Sequence, residues 1–118
     1  MAEINNFSSG AVHISEDVIG VIGSIAASEI KGVRELQGSF SDEMFEFIGK
    51  KNTGKGVEVV IDEEGVKVEI DIVVDYGVEI PAVARDVQKA VKAAIESMTA
   101  MNVKFVNVHV VAINFKTK

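Results

Sequence analysis

Apolar residues recur with two different periods along this chain, and the places where the period changes mark its elements. Val57, Val59 and Ile61 alternate with Glu58, Val60 and Asp62, and after Asp62-Glu63-Glu64-Gly65 the alternation resumes. There Val66, Val68, Ile70, Ile72 and Val74 stand against Lys67, Glu69, Asp71, Val73 and Asp75. A period of two broken by a polar, glycine-ended interruption predicts a β-hairpin with one covered and one polar face. After Pro81, which suits a first helical turn, Val83, Val87, Ala90, Val91, Ala94, Met98 and Met101 form a helical stripe. Arg85, Gln88, Lys89, Lys92 and Glu96 are expected to face water.

Nearer the N-terminus, Gly10-Ala11-Val12-His13-Ile14 predicts a short strand. Ser15 followed by Glu16 and Asp17 reads as a cap with acids at the positive end of a helix dipole, so a helix should run to about Ile30 and stop at Gly32. Val18, Val21, Ile22, Ile25 and Glu29 give it one stripe. Gly20, Ser24 and Ala27 give a face of small side chains that permits close approach to the second helix or the sheet. Gly32 to Gly38 reads as extended, and Ser41-Asp42-Glu43 can cap a brief helix carrying Met44, Phe45, Phe47 and Ile48. A basic loop spans Lys50 to Gly56, and a last strand runs from Val103 to Phe115. The order β-α-β-(short α)-β-β-α-β predicts an α+β fold: a mixed, mostly antiparallel sheet with the two long helices packed on one face. Residues 10–116 form the single domain in this reading and residues 1–9 a flexible N-terminus.

Composition narrows the function classes. A chain of 118 residues that is 47% hydrophobic and 25% charged can hold one core without staples. No cysteine is present, which removes disulfides, thiolate nucleophiles and cysteine-ligated zinc. A net charge of -6 argues against nucleic acid, because phosphate binding needs concentrated cations. The first residues lack a secretory pattern, and the apolar run from Val18 to Ser28 is too short to span a bilayer. The expectation is therefore a cytoplasmic protein with no direct membrane insertion, whose membrane association, where it occurs, comes through a partner.

Few side chains suggest chemistry. Gly49-Lys50-Lys51-Asn52-Thr53-Gly54-Lys55-Gly56 follows the phosphate-loop pattern until Gly56 replaces the magnesium-binding hydroxyl, and it leads into a strand rather than a helix. A solvated turn explains it. Asn6-Phe7-Ser8 matches a glycosylation pattern but has no secretory signal behind it. Glu69, Asp71 and Asp75, with Glu58 and Asp62 across the hairpin, could hold a divalent ion, although the solvent face of a hairpin requires such residues anyway. If Val106, Val108, Val110 and Ala112 face the helices, then Asn107, His109, Val111, Ile113 and Phe115 point away from them. His13 and His109 could share that face and a metal if their strands are neighbours; a hydrogen-bonded surface histidine is the simpler reading. No catalytic, cofactor or metal residue is assigned.

More informative is the aliphatic surface beside His109, made of Val111, Ile113 and Phe115 with Val60 and Val73 on other strands. Either the Met44 to Ile48 helix covers it or it is an interface. Val73, Ile113 and Phe115 are expected in such an interface, and Asp75 and Tyr76 in a second partner-binding surface, where Tyr76 could equally pack at the sheet edge.

Four stretches together resemble the alkaline-shock family, the envelope-stress or general stress proteins of Gram-positive bacteria. They are Gly10-Ala11-Val12-His13-Ile14-Ser15 leading into Asp17-Val18-Ile19, Gly49-Lys50-Lys51-Asn52, Val74-Asp75-Tyr76-Gly77-Val78-Glu79-Ile80-Pro81 and Val106-Asn107-Val108-His109-Val110-Val111. The resemblance implies a non-enzymatic stress-response protein without cofactor, acting as a scaffold through protein partners and self-association. It implies placement at the cell envelope through a membrane-anchored partner, or, in another branch, association with acetyl-CoA carboxylase in fatty-acid metabolism; the alternative reading beside it is a small regulator of fatty-acid synthesis that binds that enzyme or an anion or metal ligand. No catalytic residue is carried over, and His109 belongs to a structural signature.

Overall fold

A computed structural model describes residues 2–7, 10–36 and 56–115. Its elements are β1 (Ala2–Phe7), β2 (Gly10–Ile14), α1 (Glu16–Ser28), β3 (Val33–Leu36), β4 (Val57–Asp62), β5 (Gly65–Asp75), α2 (Ile80–Thr99) and β6 (Val103–Asn114). The expected α+β arrangement holds: a mixed sheet carries both helices on one face. The expected short helix at Met44 to Ile48 and most of the Gly49 to Gly56 loop lie outside the described residues.

β5 organises the sheet. On one side it pairs antiparallel with β4 over its first half and with β3 over its last residues; on the other it pairs parallel with β6. Parallel pairing follows from the connection, because α2 must cross over the sheet between β5 and β6. The period of two then sorts the side chains. Val66, Val68, Ile70, Ile72 and Val74 are fully buried under the helices, each contributing about 1.5–3 kcal/mol by leaving water. In the turn between β4 and β5, the Glu64 amide donates to Asp62 Oδ1 at 2.9 Å. Gly65 follows with φ +126, and a methyl there would meet the Asn102 carbonyl oxygen at 2.6 Å, so the backbone approach itself requires glycine.

Both helices depart from the simple stripes. Ser15 caps α1 as expected, accepting from the Val18 amide at 3.2 Å. The face that α1 buries, however, is the small one: Ile19, Gly20, Gly23, Ser24, Ala26 and Ala27, while Val18 and Ile25 are exposed. This face packs against α2, a methyl added at Gly23 lying in van der Waals contact with Val91 at 3.5 Å. α2 buries Val83, Val87, Val91, Ile95 and Thr99, so the stripe passes through Ile95 and leaves Met98 outside. Thr99 satisfies its hydroxyl by donating to the Ile95 carbonyl at 2.6 Å. Gln88, Lys92 and Glu96 do not simply face water: they reach the backbone of β6.

At the N-terminus, β1 pairs antiparallel with β2. This ribbon is a separate two-stranded sheet, so β2 is not a neighbour of β6 and the premise of a site shared by His13 and His109 fails. Gly10, Ala11, Val12 and His13 are all exposed, and with so little side-chain burial nothing draws β2 into the main sheet.

Candidate functional site

With the helices covering one face of the sheet, the side chains of opposite parity form the other. Glu58 lies across from Glu69 and Val60 from Lys67 on the β4–β5 hairpin; β6 adds Phe105 beside Lys67, Asn107 beside Glu69 and His109 beside Asp71. Among the described residues no helix packs on this side.

Polar side chains on this face hold one another in place. Glu69 accepts from Asn107 Nδ2 at 2.8 Å through one oxygen and contacts His109 Nε2 at 2.6 Å through the other. The hydrogen bond to Glu69 raises the His109 pKa above its ordinary 6.5, helped by the charges of Glu69 and Asp71 and opposed by desolvation. His109 and Asn107 in turn lower Glu69 below its ordinary 4.5. Both shifts favour the charged forms, an ion pair on the surface. At the turn, Lys67 Nζ bridges Asp62 at 3.0 Å and Glu64 at 2.9 Å; at the far end, Arg34 Nε donates to Asp75 Oδ1 at 2.9 Å. Among the described residues this face carries a shallow depression of about 90 Å³ lined by Gly56, Val57, Glu58, Glu69 and Asp71. No group of three or more potential metal-binding side chains comes together among the described residues.

The five residues singled out in the sequence divide by position. Val73 is on the open face but only 9% exposed, seated between Glu35 of β3 and Ala112 of β6. Asp75 holds the Arg34 ion pair and lies beside Asn114. Tyr76 follows it, donating its amide to the Asn114 carbonyl at 3.0 Å, and its ring stands 5.2 Å from that of Phe115, both residues being 70% exposed. Ile113 departs from the expected face. The β5–β6 register slips between Ile72 and Val73, leaving Val111 as an extra residue, so Ala112 aligns with Val73 and Ile113 with Val74. Strict alternation after Val110 therefore fails, because a bulge shifts every later side chain to the other face. Ile113 thus joins the helix-side edge, near the Tyr76–Phe115 pair, rather than the face of Val73.

Sequence reasoning missed two features. Phe105 is on the open face, where alternation back from Val106 also puts it, while the extra residue at Lys104 returns Val103 to the helix side. The Glu69–His109–Asn107 group requires β5 and β6 to be parallel neighbours, which the strand–helix–strand order of that region could have indicated.

Comparison with known proteins places this geometry. A sequence profile for the alkaline shock protein 23 family, described as having a cell envelope-related function, matches residues 4–115. YqhY of Bacillus subtilis is 42% identical over 109 residues, covering 92% of this chain and 81% of that protein. YloU of the same organism is 30% identical, covering 86% of each chain. A stress response regulator gls24 homolog of Streptococcus pyogenes is 27% identical, covering 91% of this chain and 60% of its own length. Among solved structures, the copper form of a MamM CTD variant is similar at TM-score 0.50 and 15% identity, covering 83% of this chain and 98% of that one, a likeness of fold alone. The profile match across nearly the whole chain, with the identity to YqhY, means that this chain belongs to the alkaline shock protein 23 family of stress-response and envelope-related proteins.

Proposed function

We propose that the protein is a non-enzymatic scaffold of the stress response that works by docking other proteins on the sheet surface that its helices leave uncovered. The observation that carries this reading is the exposed Tyr76–Phe115 ring pair at the end of the β5–β6 pair. Two rings exposed to 70% are costly in water, and aromatic side chains of this kind anchor protein interfaces. The shallow, charged depression lined by Glu58, Glu69 and Asp71 on the open face favours surface recognition over an enclosed reaction site there. Family membership supports an envelope setting. No helix of the described residues is long and apolar enough to cross a membrane, so contact with the envelope is assigned to a membrane-anchored partner, with the protein itself in the cytoplasm.

The test is affinity capture from native cells, comparing the wild-type protein with a Tyr76→Asp/Phe115→Asp variant of unchanged circular dichroism. Loss of envelope proteins from the variant's captured set is the expected result. Identical sets from the two proteins would overturn the reading. Selective loss of acetyl-CoA carboxylase would keep the docking surface and place its role in fatty-acid synthesis.

A further inference from the structure

The β1–β2 ribbon stands apart from the rest of the fold. It is a sheet of its own, and neither strand has an extended contact with any other element among the described residues. Gly10, Ala11, Val12 and His13 are exposed, whereas Ile14 is half-buried against the core. A two-stranded ribbon is marginal in water by itself and is held by further strands or by packing. β2 is also undefended. Edge strands are commonly blunted by charged side chains or proline, and Gly10-Ala11-Val12-His13-Ile14 carries no acid, lysine, arginine or proline.

The register shows which backbone groups of β2 are unused. Phe7 pairs with Gly10 across a connection of two residues, so that pair is hydrogen-bonded and bonding alternates from there. Gly10 and Val12 therefore turn their amides and carbonyls toward β1, and Ala11 turns both outward. The register slip lies in β1, between Glu3 and Asn5, so β2 keeps its alternation and His13 also turns outward.

These outward groups fit a second copy of the same strand. Two β2 strands laid antiparallel about a two-fold axis at Val12 set Ala11 of each opposite His13 of the other, and both pairs exchange their free backbone bonds. Sizes match as well. Gly10 meets Ile14, Ala11 meets His13 and Val12 meets Val12, so no two large side chains collide. Val12 and Ile14 share one face of the strand, so the joined strands extend an apolar surface that Ile14 already ties to the core. With no acid, lysine or arginine on β2, pairing opposes no like charges at the contact, which matters in a chain of net charge -6.

We propose that two copies of this chain join through β2, making a four-stranded sheet with the two β2 strands at its centre. This pairing uses neither Tyr76 nor Phe115, so it goes beyond the docking reading and is independent of it.

The chain has no cysteine, so single-cysteine variants test the contact directly. Across the two-fold axis the Val12 pair is not hydrogen-bonded, which puts its Cα atoms about 4.5 Å apart, within reach of a disulfide. Val12→Cys should form a disulfide-linked dimer under mild oxidation, while Val60→Cys, at an equally exposed position in β4, should not. Sedimentation of the unaltered protein should show a monomer–dimer equilibrium that tightens as salt screens the repulsion between two acidic chains. Val12→Lys, at an exposed position, sets two ammonium groups face to face and should weaken the dimer at least about tenfold with unchanged circular dichroism. Ala11→Pro removes an outward N–H and should do the same. A monomer at every concentration, an undiminished dimer in Val12→Lys, or equal oxidation of the two cysteine variants would overturn the proposal. So would a monomer whose Ala11 and His13 amides shift in cell extract, which would give the edge to a strand of another protein. None of these results alters the Tyr76/Phe115 capture experiment.

Discussion

The two sides of β5 belong to the same eleven residues yet live in different solvents. Val66, Val68, Ile70, Ile72 and Val74 are sealed under α1 and α2, whereas Lys67, Glu69, Asp71 and Asp75 meet ions and water on the other side. Val73 is the exception, an aliphatic residue nearly closed over on the polar side by neighbouring strands. The comparison teaches that core packing and solvent contact are separated by parity in this fold: alternate residues of one strand can be changed with very different consequences.

Substitutions along β5 and its turn break the comparison most sharply. Ile70→Ala should destabilise the protein by about 3–4 kcal/mol in urea unfolding, because the cavity opens in a fully buried layer. Gly65→Ala comes next, at about 2 kcal/mol, from a positive φ and a contact with a backbone oxygen that cannot withdraw. On the open face, Asp75→Asn should cost less than about 1 kcal/mol, since its ion pair with Arg34 is exposed on both sides and screened by salt. An Asp75→Asn loss as large as that of Ile70→Ala would show that the open face carries structural load.

The Glu69–His109 pair sharpens the comparison through pH. His109 has a raised folded pKa, so its contribution to stability is complete below the ordinary value of 6.5 and fades as pH rises through the folded value. Glu69 has a lowered one, so its contribution is present above 4.5 and fades as pH falls through the folded value. The pair is therefore intact between those limits. Proton NMR should give His109 a pKa above 6.5 that falls in Glu69→Gln, while the unfolding midpoint changes little at any pH. A midpoint that collapses at alkaline pH would mean that this surface contact supports the core.

The legible part of the molecule was the part governed by strict period and local caps. The hairpin around Asp62-Glu63-Glu64-Gly65, the Ser15 cap and the start of α2 at Pro81 each follow from neighbours in sequence. What stayed hidden depends on distant packing. The small face of Gly20, Ser24 and Ala27 was legible as a close-approach surface, but the exposure of Val18 and Ile25 on the apolar stripe beside it was not. The bulges at Lys104 and Val111 change the phase of β6 without any glycine or proline to mark them, and the second moves Ala112 and Ile113 to faces that alternation assigned differently. Tyr76 and Phe115 were singled out separately; their contact required the parallel register of β5 and β6.

Photo-crosslinking in living cells tests the separation of the two sides most directly, with a photoreactive amino acid placed at Tyr76 or Phe105 and, as the opposing pair, at Val18 or Met98 on the outer surfaces of the helices. All four positions are exposed, so accessibility does not favour either side. The account predicts discrete crosslinked partners from Tyr76 and Phe105 and none from the helix positions. Partners captured from Val18 or Met98, with Tyr76 and Phe105 silent, would contradict it.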